Sequence, residues 1–306
     1  VIAANTSVHF PFGRDAVRIA ETRQARLHMI PIRISSFSQG DAGGNPAGVV
    51  IADHLPDAAK MQRIAADLGY SETAFAAPEG KSWRVRFYAP VGEVPFCGHA
   101  TIALGAALGA QEGPGRFELH LRDTQISVEA HETQGRWHAA LQSPSTWSKP
   151  LEDDLRYALL DAFSLSDDEL DPALPPTLAF GGALHAILTL QDRERLRKMA
   201  YPFDAMRDLM ALHGLVTVSL LYVAGARSFV SRNAFASGGV VEDPATGAAA
   251  AALAGALVDR DWDGLRAGGS FHIMQGEDMG MPSALDVEVT GLPGASVRVS
   301  GAVRWI

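Results

Sequence analysis

The chain has 306 residues, 47% of them hydrophobic and 20% charged, with 35 acidic against 26 basic side chains and a formal net charge of −9. These are globular proportions, enough for one large domain or two ordinary ones, and the negative balance argues against nucleic acid or an anionic membrane as partner. The single cysteine, Cys97, excludes an internal disulfide and a cysteine-based metal cluster and fits a reducing cytoplasm.

Residues 1–28 read unlike the rest, with Arg14, Arg18, Glu21, Arg23 and Arg26 scattered among small residues and no apolar h-region behind them. They do not read as a signal peptide; a tag or an upstream start is expected, with Met29 as the natural first residue. From there Ile30, Ile32, Ile34 and Phe37 recur as in a half-buried strand, and a glycine-rich turn at 41–46 leads to a second strand at 48–52. Pro56-Asp57 opens a helix whose Met61, Ile64, Ala65 and Leu68 share one face, with Gly69 as its stop. Residues 71–76 look extended, and Trp83, Val85 and Phe87 alternate with polar or amphipathic neighbours as a strand.

Next comes Val94-Pro95-Phe96-Cys97-Gly98-His99-Ala100-Thr101, which runs into small and apolar residues up to Leu108. It has a counterpart in Val241-Glu242-Asp243-Pro244-Ala245-Thr246-Gly247, which runs into an uncharged stretch ending at Val258. A helix apolar on every face is a buried helix. The start of such a helix leaves N–H groups unpaired and carries partial positive charge, so it suits a carboxylate. The apolar run is too short to span a bilayer, which needs roughly 20 residues. Between the two segments lie strands at 117–121, 126–130 and 137–142, a proline-bracketed polar stretch at 143–150 that reads as a domain boundary, a surface helix at 153–163, an acidic loop at 167–171 and a proline turn at 172–176. Strands at 184–190, 216–223 and 229–234, with a helix at 203–213, precede the second core helix, and strands at 270–275, 285–290 and 296–306 close the chain. The same order of elements occurs on both sides of Ser143, a loose internal repeat.

The chemistry-bearing residues each have two readings. Glu72, after a helix stop and among aromatic and small residues, is either a solvated carboxylate or a buried one with a raised proton affinity. His99 is either bonded to a backbone carbonyl or able to hold a substrate carboxylate. Asp243 is either an N-cap or a functional acid. Cys97 is either an activated thiolate at a helix start or a small packing residue; with no second cysteine, a two-thiol racemase is excluded. The ten histidines show no metal-ligand spacing, and phosphate-loop, dinucleotide, nucleophile-elbow and H-E-x-x-H signatures are missing. No metal and no cofactor are therefore expected.

Gly44-Asn45-Pro46-Ala47, Ser71-Glu72-Thr73, the run 87–101 ending in Gly98-His99-Ala100-Thr101, Glu242-Asp243-Pro244-Ala245-Thr246-Gly247, and Gln275-Gly276 with Met279-Gly280 resemble, in order, the motifs of the PhzF family of phenazine-biosynthesis-like proteins. The resemblance covers the chain from about Met29 to Ile306. It implies an α+β, diaminopimelate-epimerase-like fold: two pseudo-symmetric domains, each with a β-barrel around a central buried helix, and an active site in the cleft between them. Domains are expected at 29–145 plus 296–306 and at 146–295, with the last strand crossing back. The resemblance also implies a cytoplasmic, homodimeric, cofactor-independent isomerase of a small carboxylated metabolite. The best-known member isomerises trans-2,3-dihydro-3-hydroxyanthranilate, with a glutamate moving a proton between two ring carbons. That glutamate matches Glu72, and the residues that hold and polarise the substrate match His99 and Asp243. Asn45, Ser71, Gly98, Thr246, Gly247 and Ala248 complete the expected substrate-binding set, with Cys97 as a further candidate. Two departures point to a different substrate: Ala248 stands where the family often has serine, and Met281 where it has arginine. An epimerase or racemase acting on an amino-acid-like substrate, and a non-catalytic metabolite-binding protein, are the rival readings.

Overall fold

The computed structural model describes residues 30–122 and 124–306; the expected N-terminal extension lies outside them. Strand β1 (Ile32–Ser36) pairs antiparallel with β2 (Asn45–Ile51). The amphipathic helix α1 (Ala58–Leu68) starts at Asp57, whose carboxylate accepts from Lys60 N at 2.8 Å, and stops at Gly69 in the left-handed conformation (φ 68°), where glycine bears no Cβ penalty. It buries Met61 and Ala65 against Val50, Phe75 and Tyr88, so the crossover to β3 (Thr73–Glu79), parallel to β2, is well packed. β4 (Ser82–Ala89) follows as a hairpin, with a short β5 (Gly92–Val94) on its edge.

Helix α2 (Gly98–Glu112) then passes through the ring of strands and returns as β6 (Gly115–His120), β7 (Gln125–Thr133) and β8 (Arg136–Gln142). β4 pairs with β6, β6 with β7 and β7 with β8. The final strand β17 (Arg298–Trp305) pairs with both β8 and β1 and closes an eight-stranded barrel. Residues from His99 to Gly109 are buried, which explains the lack of charge: an ion there would be desolvated on all sides.

The second half begins with β9 (Trp147–Pro150), inside the stretch read as a polar boundary. Its Trp147 stacks on Phe180 of β10 (Thr177–Phe180), with ring centroids 5.9 Å apart. Neither strand is legible from sequence, because four residues beside prolines give too short a pattern. Helix α3 (Asp153–Phe163) connects them, and β11 (Leu184–Leu190), α4 (Arg193–Arg197), α5 (Phe203–His213), β12 (Thr217–Gly225), β13 (Ser228–Ala234) and β14 (Glu242–Asp243) lead to α6 (Gly247–Asp259). β15 (Gly269–Gln275) and β16 (Ser283–Val289) complete the set. The order is β9–β10–β11–β12–β13–β15–β16–β17 around α6. The remaining gap is bridged by backbone bonds, Thr146 N to Gly294 O (3.2 Å) and Ser143 N to Val297 O (2.8 Å), not by a ladder. β17 serves both halves, since residues 298–300 also pair with β16. Among the described residues no helix is long and apolar enough to cross a membrane.

Candidate active site

The two buried helices begin against each other. A Cβ placed on Gly98 would lie 3.9 Å from Gly247 Cα and 4.0 Å from Ala248 N, so the first turns are in near contact. The N-cap residues are Cys97 for α2 and Thr246 for α6, and neither makes a side-chain cap bond. Their leading N–H groups are the kind of donors that receive an anion.

Around the start of α2 the structure gathers Glu72, Ser71, Cys97 and His99. Gly48 N–H donates to Glu72 O (3.2 Å), extending the β2–β3 ladder and fixing this segment beside the helix. His99 Nε2 lies 3.4 Å from Glu72 Oε2 and 3.3 Å from Ser71 Oγ, and its Nδ1 lies 3.3 Å from Cys97 Sγ. The Glu72 side chain keeps only 14% of its exposure and that of His99 7%. The solvated reading of Glu72 is thereby corrected. The backbone carbonyl of His99 accepts from Ser36 Oγ at 2.7 Å, which ties the helix start to β1. Burial, then the nearby Glu72 charge, push the Cys97 thiol well above its ordinary value, so desolvation outweighs the helix start and the activated-thiolate reading fails.

Asp243 belongs to β14, paired with Asn233, and is not the N-cap of α6. Its carboxylate accepts from Asn45 Nδ2 (2.8 Å) and Thr246 Oγ1 (2.5 Å); Asn45 also donates to Ala245 O (3.0 Å), so one amide from the first half holds the second half's turn. Burial raises the Asp243 carboxyl from 3.8 to about 6, with the Glu72 charge adding to the rise while His99 and the Thr246 and Asn45 bonds pull it down. Gln275, absent from the site expected from sequence, donates to Asp243 O (2.7 Å) and Thr246 Oγ1 (3.2 Å) and accepts from Thr246 N (3.3 Å). Its only local signal is the Gln275-Gly276 dipeptide. Thr246 and Ala248 remain partly open to solvent, as does Gly98, whereas Gly247 and Asn45 are buried. Met281 is half-buried in the loop whose Pro282 carbonyl accepts from Gly44 N at 3.0 Å.

A groove of about 560 Å³ lies elsewhere, over β6–β8, lined by Phe96, Arg116, Glu129, Leu141, Pro144 and Arg298 among others. None of Glu72, His99 and Asp243 lines it. Convergence of ionisable side chains on two helix starts, rather than cavity size, marks the site.

The architecture defines a protein of the diaminopimelate-epimerase-like fold class. Comparison with known proteins specifies it further. The family model for phenazine biosynthesis-like protein matches residues 34–304. An uncharacterized isomerase of Deinococcus radiodurans is 31% identical over 278 residues, covering 88% of this chain and 90% of the relative. The trans-2,3-dihydro-3-hydroxyanthranilate isomerase of Pseudomonas fluorescens is 32% identical over 272 residues, covering 87% and 92%. The solved PhzF-family protein of Bacillus anthracis superposes with a TM-score of 0.79 at 20% identity, covering 90% and 96%. The chain belongs to the PhzF family of phenazine biosynthesis-like proteins, and it is an isomerase.

Proposed function

We propose that the chain moves a proton on a small carboxylated metabolite without a cofactor, with Glu72 as the acid/base group. The observation that supports this most is the Glu72 carboxylate, largely desolvated, 3.4 Å from His99 and beside two adjoining helix starts without side-chain caps. The substrate carboxylate and the charge that develops on proton removal are received by the N–H groups of those starts. Glu72 takes the proton next to an activating group and returns it elsewhere on the same molecule. His99 orients the substrate, together with Ser71 and Asn45. Asp243, already raised to about 6, rises further beside a bound anion and then donates a hydrogen bond. The substrate differs from that of the P. fluorescens relative. Ala248 offers a methyl and no hydroxyl, and Met281 no guanidinium; a site that lacks a partner for a buried polar group discriminates strongly against the ligand carrying it. The same reading makes the protein a cytoplasmic homodimer, which light scattering and cell fractionation test.

The decisive experiment incubates the protein with a panel of carboxylated metabolites in deuterium oxide and reads incorporation by mass spectrometry. Glu72→Gln is expected to abolish incorporation while leaving binding nearly intact. Full exchange in that variant removes Glu72 from the mechanism.

A further inference from the structure

Gln275 enters no step of the mechanism proposed above, yet it is built against the turn that carries Asp243. It is 2% exposed, and its main chain is held on both sides, β15 pairing with β13 at Ser231 and with β16 at Ser283. The next residue, Gly276, adopts φ 76°, and a Cβ there would lie 2.4 Å from Met281 O and 2.8 Å from Pro244 O. Glycine thus lets the end of β15 come up against the Asp243-Pro244 turn. We propose that Gln275 is a positioning residue that sets the proton affinity of Asp243 by holding the Thr246 hydroxyl as a hydrogen-bond donor to the Asp243 carboxylate.

The chemistry of its partners fixes which way the Gln275 amide faces. The Asp243 carbonyl can only accept, and it lies 2.7 Å from Nε2; the Thr246 N–H can only donate, and its nitrogen lies 3.3 Å from Oε1. A flipped amide would set oxygen against oxygen and N–H against N–H. The second hydrogen of Nε2 is then directed at Thr246 Oγ1, 3.2 Å away. A hydroxyl has one proton to give. With Gln275 donating to its oxygen, that proton goes to Asp243 Oδ2, at 2.5 Å. Donation into the hydroxyl also polarises it and strengthens the bond it gives in turn. Bonds donated to a carboxylate favour its charged form, so Gln275, at one remove, opposes the burial that raises this carboxyl.

The other charged groups around Asp243 are unchanged in a Gln275 variant. Glu72 and His99 face it from the first half, with the protonated Cys97 thiol nearby. Glu242, beside it on β14, is paired with Arg232, and Glu277 and Asp278, just beyond β15, are paired with Arg193. Oδ1 already accepts from Asn45 and Oδ2 from Thr246, so the proton of neutral Asp243 is aimed at neither and is left for the substrate. This consequence rests on the function proposed above, whereas the link from Gln275 to Asp243 does not.

Carboxyl carbon-13 shifts of aspartate-labelled protein, followed against pH, test the proposal without substrate. The Asp243 signal is assigned by its loss in Asp243→Asn, and its midpoint in wild type is expected at about 6. Gln275→Met keeps the length of the side chain and offers no donor; the midpoint is expected to rise by about one pH unit, a roughly ten-fold gain in proton affinity. In a Thr246→Val background no hydroxyl remains to be held, and the same substitution is expected to move the midpoint by less than about 0.3 pH unit. Gln275→Glu fills the same space and draws the Thr246 proton to itself, so its rise exceeds that of Gln275→Met; it carries the test if Gln275→Met is not folded by circular dichroism. An unchanged midpoint in a folded Gln275 variant overturns the proposal. So does a rise of equal size with and without the Thr246 hydroxyl, which assigns the effect to packing alone. A raised midpoint in Gln275→Met alongside unaltered deuterium exchange in Glu72→Gln overturns the mechanism while the role of Gln275 stands.

Discussion

Replacing Asp243 by asparagine tests the electrostatics of the site through stability alone. Burial lifts the folded-state value of this carboxyl from 3.8 to about 6. Below pH 3.8 the group is protonated in both the folded and unfolded chain and its contribution is fully present. As pH rises through about 6 the unfolded chain releases the proton first, and that stability is lost. A difference of about two pH units corresponds to about 3 kcal/mol. Roughly 2 kcal/mol of it is lost between pH 4.5 and pH 8, because the unfolded group already begins to ionise near its ordinary value. Asparagine can still accept from Asn45, and the Thr246 hydroxyl can turn to accept from the new amide, so the variant keeps the local bonds without the buried charge. Urea denaturation of both proteins at pH 4.5, 6 and 8 isolates this group, since the other ionisable residues titrate in both. Asp243→Asn is expected to gain about 2 kcal/mol on wild type from pH 4.5 to pH 8. A stability difference that does not change with pH, or one that moves against the variant as pH rises, refutes the reasoning.

The buried ion pair of Arg232 with Glu242 adjoins the same strand. Both guanidinium contacts are short (3.0 and 2.5 Å) and the Glu242 side chain is 4% exposed. Arg232→Met is expected to cost about 3–5 kcal/mol because it leaves a buried charge unpaired, and Arg232→Met with Glu242→Leu to recover much of that; denaturant midpoints check both, and a neutral single variant refutes it. Gly181 packs against α6, where an added Cβ would lie 2.4 Å from Ala252 N and 2.7 Å from Ala248 O. Since helix backbone cannot yield as a side-chain tip does, Gly181→Ala is expected to cost about 3 kcal/mol or more. Gly92→Ala, which meets nothing within 4 Å, should stay within about 0.5 kcal/mol; equal melting temperatures for the two refute the packing argument.

Local signals carried the elements whose pattern repeats over several turns or strand pairs. The two uncharged segments could only be buried helices, because no face was left for water. Asp57 and Gly69 marked the ends of α1 through bonds three or four residues long. Signals failed where the partner is distant. Asp243 resembles a helix cap in the sequence, but besides the nearby Thr246 hydroxyl its carboxylate accepts from Asn45, 198 residues away, and its backbone carbonyl accepts from the side chain of Gln275, 32 residues on. β9 and β10 escape the sequence because four residues are too few to display alternation; β9 pairs with β10 across α3, and β10 also pairs with β11.

By itself, then, the sequence determined two rods without charge, each led by glycine and a proton-bearing side chain, and the family motifs that name their class. It also determined that only one thiol is available. Tertiary structure alone decided that the starts of α2 and α6 lie side by side, that Glu72 is drawn out of water onto His99, and that Cys97 lies beside both. The physical reason is that burial and Coulomb energies depend on what surrounds a group in space, and chain neighbours supply only a small part of those surroundings.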